Sequence, residues 1–300
     1  MTAGAAARAR GPGLGAVPVI IGYALRESLR RRVFVVVLVL TAGFLGLYAL
    51  AVAVAHARIE EGSSTFRNGG VVPTSDLAGA TLFGMAMFST LFLGAVLAVF
   101  LTLGAVRGDA ERGLLQPLVV RPIGRSSLLV ARFLAAAAVC AVYVGAVFLG
   151  ALLITRGISG WWPDRTLVPV LGLMGAVAIV AALSLLGSVF LSATANGIAV
   201  FMAFGAGLVA GLLGQIGEAI DSPTLRSASR AISWALPFEA LYQAGLSAIT
   251  ADARGLTRIV VQLGPFGGAH GGGPLLALWA VGYLCLVALI AMAAFRRKDL

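Results

Sequence analysis

The residues able to do covalent or metal chemistry are few in this sequence and poorly spaced for it. The histidines are His56 and His270 and the cysteines Cys140 and Cys285. There is no CxxC pair, and no cluster of His, Cys, Asp and Glu supplies the three or four ligands of a metal site. Met85 and Met87 stand two apart, so on a helix they point different ways and make a poor copper pair. A Ser/His hydrolase within the membrane needs its base within hydrogen-bond reach of a serine inside the bundle, and both histidines fall in the outer connections. His270 lies in GPFGGAHGGG, which is glycine-rich like a phosphate-binding loop. A Walker A loop, however, requires GxxxxGK[ST], whose Lys reaches the phosphates. The one lysine, Lys298, stands in FRRKDL. The chain is therefore expected to carry no catalytic group, no metal and no cofactor of its own, and any ATP must be handled by a different subunit.

The elements around these residues explain why chemistry is sparse. Of 300 residues, 60% are hydrophobic and 11% charged, against about 25% charged in a soluble domain. Mean hydropathy is +1.00. Such a chain cannot cover one core with a water-facing surface, so the bilayer must be its solvent. Six apolar segments approach the ~20 residues needed to cross: Val33–Ala55, Leu77–Val106, Phe133–Ile154, Leu167–Leu191, Ile198–Ile220 and Leu275–Phe295. The second would run about 45 Å as a helix, so it is tilted or protrudes. Ser192–Gly197 separates the fourth and fifth, with Asn196-Gly197 read as the breaker of a tight turn. Met1–Gly15 has no compact apolar stretch of the kind a cleavable signal needs.

Net charge is +10, but the basic residues cluster beside apolar runs, which points to membrane orientation and not to nucleic acid. With residue 1 on the cytoplasmic side, 14 basic residues fall inside and 8 outside, while acidic residues divide 4 to 8. Arg30-Arg31-Arg32 before the first span and Arg296-Arg297-Lys298 after the last fix that orientation. Both termini are then cytoplasmic.

Three segments do not span. In Val17–Arg32, Val17, Ile21, Leu25 and Leu29 recur every four residues, with Arg26, Glu27 and Arg30 between them. This predicts an amphipathic helix on the inner leaflet. The loop Arg107–Arg132 holds Leu114, Leu115, Leu118, Val119 and Val120 among charges. A solvated linker needs no such residues, so they predict a short helix docked on the membrane, the bundle or a partner, broken by Pro122 and Gly124. Between spans five and six, Ser222-Pro223 reads as an N-cap with proline at N1. It starts a helix ended by Pro237, after which Phe238–Ile249 forms another. Both are too short or too polar to cross, and they lie at the outer interface or dip back where protein satisfies the backbone.

Inside the spans, acidic residues sit only near the ends (Asp76, Glu218, Asp221), which argues against an ion relay at the midplane. Gly207 and Gly211 form a GxxxG in span five, suited to close helix packing within the chain or to a dimer contact. Phe88 and Phe92 in span two and Phe201 and Phe204 in span five could line an apolar route or face lipid.

Taken together, ALRESLRRR before span one, GDAERGLLQPLVVRPIGRSSLLVARF between spans two and three, LPFEALYQAGLSAI between spans five and six, and the final FRRKDL resemble one family. It is that of permease subunits of type-2 ABC exporters, and the chain is most similar to those of multi-copper-enzyme maturation systems. The resemblance covers nearly the whole chain. It implies an all-α membrane fold with six spans, an N-terminal elbow helix and a cytoplasmic coupling helix, in a bacterial plasma membrane. It also implies a second permease copy, forming a homodimer, and a pair of cytoplasmic ABC ATPases that bind ATP and Mg. Gly108, Asp109, Glu111, Arg112, Gly113, Leu114, Leu115, Leu118, Pro122 and Arg125 would then couple to the ATPase. Leu25, Arg26, Glu27, Leu29 and Arg30 would belong to the elbow. The competing reading is a six-helix secondary transporter or a membrane anchor without an ATPase.

Overall fold

In lipid an unpaired backbone amide costs several kcal/mol, so a long apolar segment without an open sheet edge must be helical. The computed structural model describes residues 32–63, 74–103, 125–249 and 273–297, and within them finds helices and no strands. Six helices are long and apolar enough to cross a membrane. They are α1 Arg32–Ser63, α2 Thr74–Thr102, α3 Arg125–Ser159, α4 Leu167–Phe190, α5 Ala193–Ala219 and α8 Pro274–Arg297. Between α5 and α8 stand the shorter α6 Pro223–Ala235 and α7 Phe238–Ile249.

Some boundaries differ from the sequence expectation. Helix α2 closes at Thr102, short of Val106. Helix α3 begins at Arg125 and has 35 residues, about 52 Å of helix, so it extends beyond a hydrocarbon core of ~30 Å. The largest correction concerns Asn196-Gly197. Helix α5 already begins at Ala193 behind Ser192, so the pair lies inside the first turns of a helix and breaks nothing. The expected elbow (Leu25, Arg26, Glu27, Leu29, Arg30) and the coupling residues from Gly108 to Pro122 lie outside the described residues. Arg125 opens α3, but its side chain also lies outside them.

Helices α2 and α4 form the centre, and α1 and α8 the periphery. Phe83, Leu91 and Leu97 of α2 and Leu173 and Ile179 of α4 are fully buried, while α1 and α8 expose Val39, Leu47, Leu275 and Leu278. Such exposed large apolar residues are the lipid-facing surface of a bilayer protein. Without a hydrophobic drive between helices in lipid, packing and polar links hold the bundle. Two such links tie α1 to α3. Thr41 donates to the Val37 carbonyl and accepts from the Tyr143 hydroxyl at 2.5 Å, and Thr155 donates to Ala151 and accepts from Tyr48 at 2.5 Å. Each rung contributes about 0.5–1.5 kcal/mol. Tyr143→Phe and Tyr48→Phe are expected to lower thermal stability in detergent additively. An unchanged melting temperature in the double variant would show that the rungs carry nothing.

At the end of α5 the chain reverses through a Schellman closure. Ser222 N–H donates to Gly217 O at 2.8 Å and Asp221 N–H to Glu218 O at 3.3 Å, with Asp221 at φ 52°. Aspartate tolerates this left-handed conformation better than most side chains. Asp221 also pairs with Arg226 at 2.6 Å. Helix α6 starts with the expected proline at N1 and runs back along α5, so that Gly217 faces Leu225 and Arg226, and Gly214 faces Ser229. After the buried Pro237, α7 returns through the bundle. Phe238, Tyr242, Leu246 and Ile249 join the main core, with Gly84 of α2 against Leu246 and Gly172 of α4 against Leu241. The pair α6–α7 is thus a re-entrant hairpin. Its tip meets Gly207, about 18 Å along α5 from Ala219.

Candidate functional site

Small residues on α5 create the seat for that tip. A Cβ at Gly207 would strike the Phe238 ring, and one at Gly211 would strike the Glu239 carboxylate. The GxxxG spacing puts both glycines on one face, and that face receives α7 of the same chain. Phe238 stacks on Phe204, with ring centroids 5.2 Å apart and planes 13° from parallel. Phe204 in turn touches Phe92 of α2 at 6.3 Å, and Phe88 of α2 meets Tyr242 of α7 at 6.3 Å. Helices α2, α5 and α7 therefore share a column of aromatic rings. Of the four phenylalanines singled out in the sequence, Phe92 and Phe204 meet directly. Phe88 joins through Tyr242, and Phe201 lies one turn below Phe204.

Phe201 borders a cavity of about 530 Å³ at the end of the bundle where α4 turns into α5. Val99, Phe100 and Leu103 of α2 form one wall, and Thr194, Ile198 and Met202 of α5 form the other. The lining is apolar apart from the Thr194 hydroxyl. Met85, Phe92 and Phe100 on α2 and Ile198, Met202 and Val209 on α5 are exposed, so the cleft between the two helices stands open along one side.

A polar group that sequence reading passed over lies at the hairpin tip. Glu239 is 1% exposed. It accepts from the Gln243 amide one turn later and from Ser233 Oγ at 3.5 Å. Its place in the first turn of α7 sets it near the positive end of the helix dipole. An acid within the otherwise apolar run LPFEALYQA, with Gln at i+4, was the available signal. The sequence reading left that segment either at the outer interface or dipping back from it, and so gave Glu239 no weight.

At the opposite end of the column, α2 ends at Thr102, five residues before the charged stretch that starts at Arg107. The family model described as ABC-2 family transporter protein matches residues 19–300.

The chain belongs to the ABC-2 transporter family.

It is accordingly a multi-pass membrane permease of an ABC transporter. A comparison with curated proteins gives no match. Within this ABC-2 permease, Gly207 and Gly211 seat the hairpin, and Phe204 of the aromatic column stands one helical turn from Phe201 at the cavity. The match also takes in the segments 19–31 and 104–124, where the elbow and coupling residues are expected.

Proposed function

We propose that this permease is half of the membrane part of an exporter, pairing with a second copy of itself and driven by a separate dimeric ATPase. The observation that supports this best is the open α2–α5 cleft. Its aromatic residues form one wall of a passage, and the exposed faces of α2 and α5 leave the opposite wall to be supplied by another copy. The α4–α5 end is cytoplasmic in this reading, with both termini on the same side, in a bacterial plasma membrane. The ATPase docks there on the loop containing Glu111, Arg112, Leu114, Leu115 and Leu118. An apolar-faced helix with flanking charges suits a partner's groove, and the elbow moves with it. ATP and Mg belong to the partner, and this chain contributes no catalytic group.

The passage selects an apolar or amphipathic substrate, because its lining offers rings and methyl groups and almost no polar contact. Closure of the ATPase on ATP pushes the loop, and α2, continuous with that loop, tilts against α5. The substrate biases this equilibrium only by binding the two states differently. Solubilised in mild detergent, the chain is expected to retain a soluble subunit carrying GxxxxGK[ST], in a complex with two permease copies by mass. A chain that purifies alone, with no bound P-loop protein, would instead make it a secondary transporter or an anchor.

A further inference from the structure

Asn196 is completely buried in the first turns of α5, at a position whose helical neighbours gain nothing from an amide. Its Nδ2 donates to the Ser184 carbonyl of α4 at 2.8 Å and to the Leu103 carbonyl of α2 at 3.4 Å. Only the amide nitrogen can donate to two carbonyls, so the contacts themselves fix which way the side chain points. Its Oδ1 is pressed onto Gly187 of α4, where a Cβ would collide with it. The next residue, Gly197, seats the other half of the same partner, since its Cβ would lie 3.0 Å from Leu103 Cδ1. Leu103 closes α2 through its own N–H to Val99 O at 2.8 Å, and in the sequence the charged loop begins four residues on, at Arg107. One buried amide therefore holds together the root of that loop, α4 and the start of α5, at the edge of the 530 Å³ cavity.

We propose that Asn196 is the positioning residue that carries displacement of the coupling loop into α4 and α5, with Gly187 as the socket that lets it reach. A tug on Leu103 has two routes into the bundle, along α2 itself and across this clamp. At the cavity the clamp ties the α2 wall to the α5 wall and to α4 at once, whereas the Phe92–Phe204 contact between α2 and α5 lies further along the helices. Hydrogen bonds between membrane helices are directional and have few competitors in an apolar layer, which suits them to passing a rigid-body motion from one helix to the next. The proposal rests on the reading that the loop docks an ATPase.

The test uses the full complex in nanodiscs, with Cys140→Ala and Cys285→Ser as background. An environment-sensitive fluorophore is placed at Ala195→Cys on α5 or, separately, at Arg121→Cys in the loop. Both labels are expected to respond to ATP and to a non-hydrolysable analogue. With Asn196→Leu added, the Arg121 response and the bound ATPase should persist, while the Ala195 response falls on the order of tenfold. Gly187→Ala, which leaves the amide in place but crowds it out of its socket, should give the same split, and it carries the test if Asn196→Leu fails to assemble. An undiminished Ala195 response in either assembled variant overturns the clamp. So does a wild type in which the Arg121 label responds and the Ala195 label does not. A wild type in which neither label responds overturns the permease reading, and the clamp with it.

Discussion

Gly207→Leu is expected to unseat the re-entrant hairpin and to cost the bundle about 3 kcal/mol, the upper range for overpacking. The side chain it would strike is the Phe238 ring, three of whose atoms lie within 3.2 Å of where a Cβ at this position would stand. That ring cannot yield, because it is 1% exposed and its other face stacks on Phe204. The alternative is for α7 to withdraw, which exposes Glu239, Tyr242 and Leu246 together. Gly211→Leu should act in the same way through Glu239 and Gln243. Melting temperature in detergent and protease access to residues 223–249 report the change. Combining Gly207→Leu with Phe238→Ala should recover part of the loss, since the two sites share one contact. A Gly207→Leu protein as stable as wild type, with the hairpin still protected, would remove α7 from the seat described above.

The second large effect is expected in the loop. Glu111→Arg and Leu115→Asp should each abolish coupled ATPase activity while leaving membrane insertion and the melting temperature of the permease unchanged. Burying a leucine in a partner's groove contributes about 1.5–3 kcal/mol. A carboxylate in its place must be desolvated without a partner, which costs more than the leucine gave. Reversing the charge at Glu111 turns an attraction at the groove's rim into a repulsion. The readouts are ATPase retained on the purified permease and the ATP response of a label on α5. Variants that bind and respond like wild type would place the coupling contact elsewhere on the cytoplasmic face.

The spans were legible because length and hydropathy are local quantities. A run such as Val33–Ala55 needs no tertiary context to be recognised as membrane-crossing. The proline at 223 and the break at Pro237 were legible for the same reason, since each acts on its own backbone. Asn196-Gly197 was misread because the same two residue types end a helix in water and join helices in lipid. What separates the cases is the pair of carbonyls at Leu103 and Ser184, and one of these is 93 positions away. The Tyr143–Thr41 and Tyr48–Thr155 rungs are hidden likewise, as each partner alone is an ordinary helix residue. The depth of the hairpin was illegible because α6 is polar enough to lie at an interface. Only the row of glycines on α5 facing it, at 207, 211, 214 and 217, shows that it descends.

The hairpin also has a history within each molecule. Three of the helices that wall it, α2, α4 and α5, precede it in the chain, so they leave the ribosome and enter the bilayer first, while α8, whose Trp279 meets Trp234 of α6 at 5.2 Å, follows it. Residues 223–249 therefore emerge into a slot that lacks only its α8 side. They can be withdrawn from it without any span having to leave the lipid. A permease with an ill-fitting hairpin should accumulate as an intermediate with all six spans inserted and the hairpin unseated. Cleavage confined to residues 223–249, with the spans intact, would report such a species.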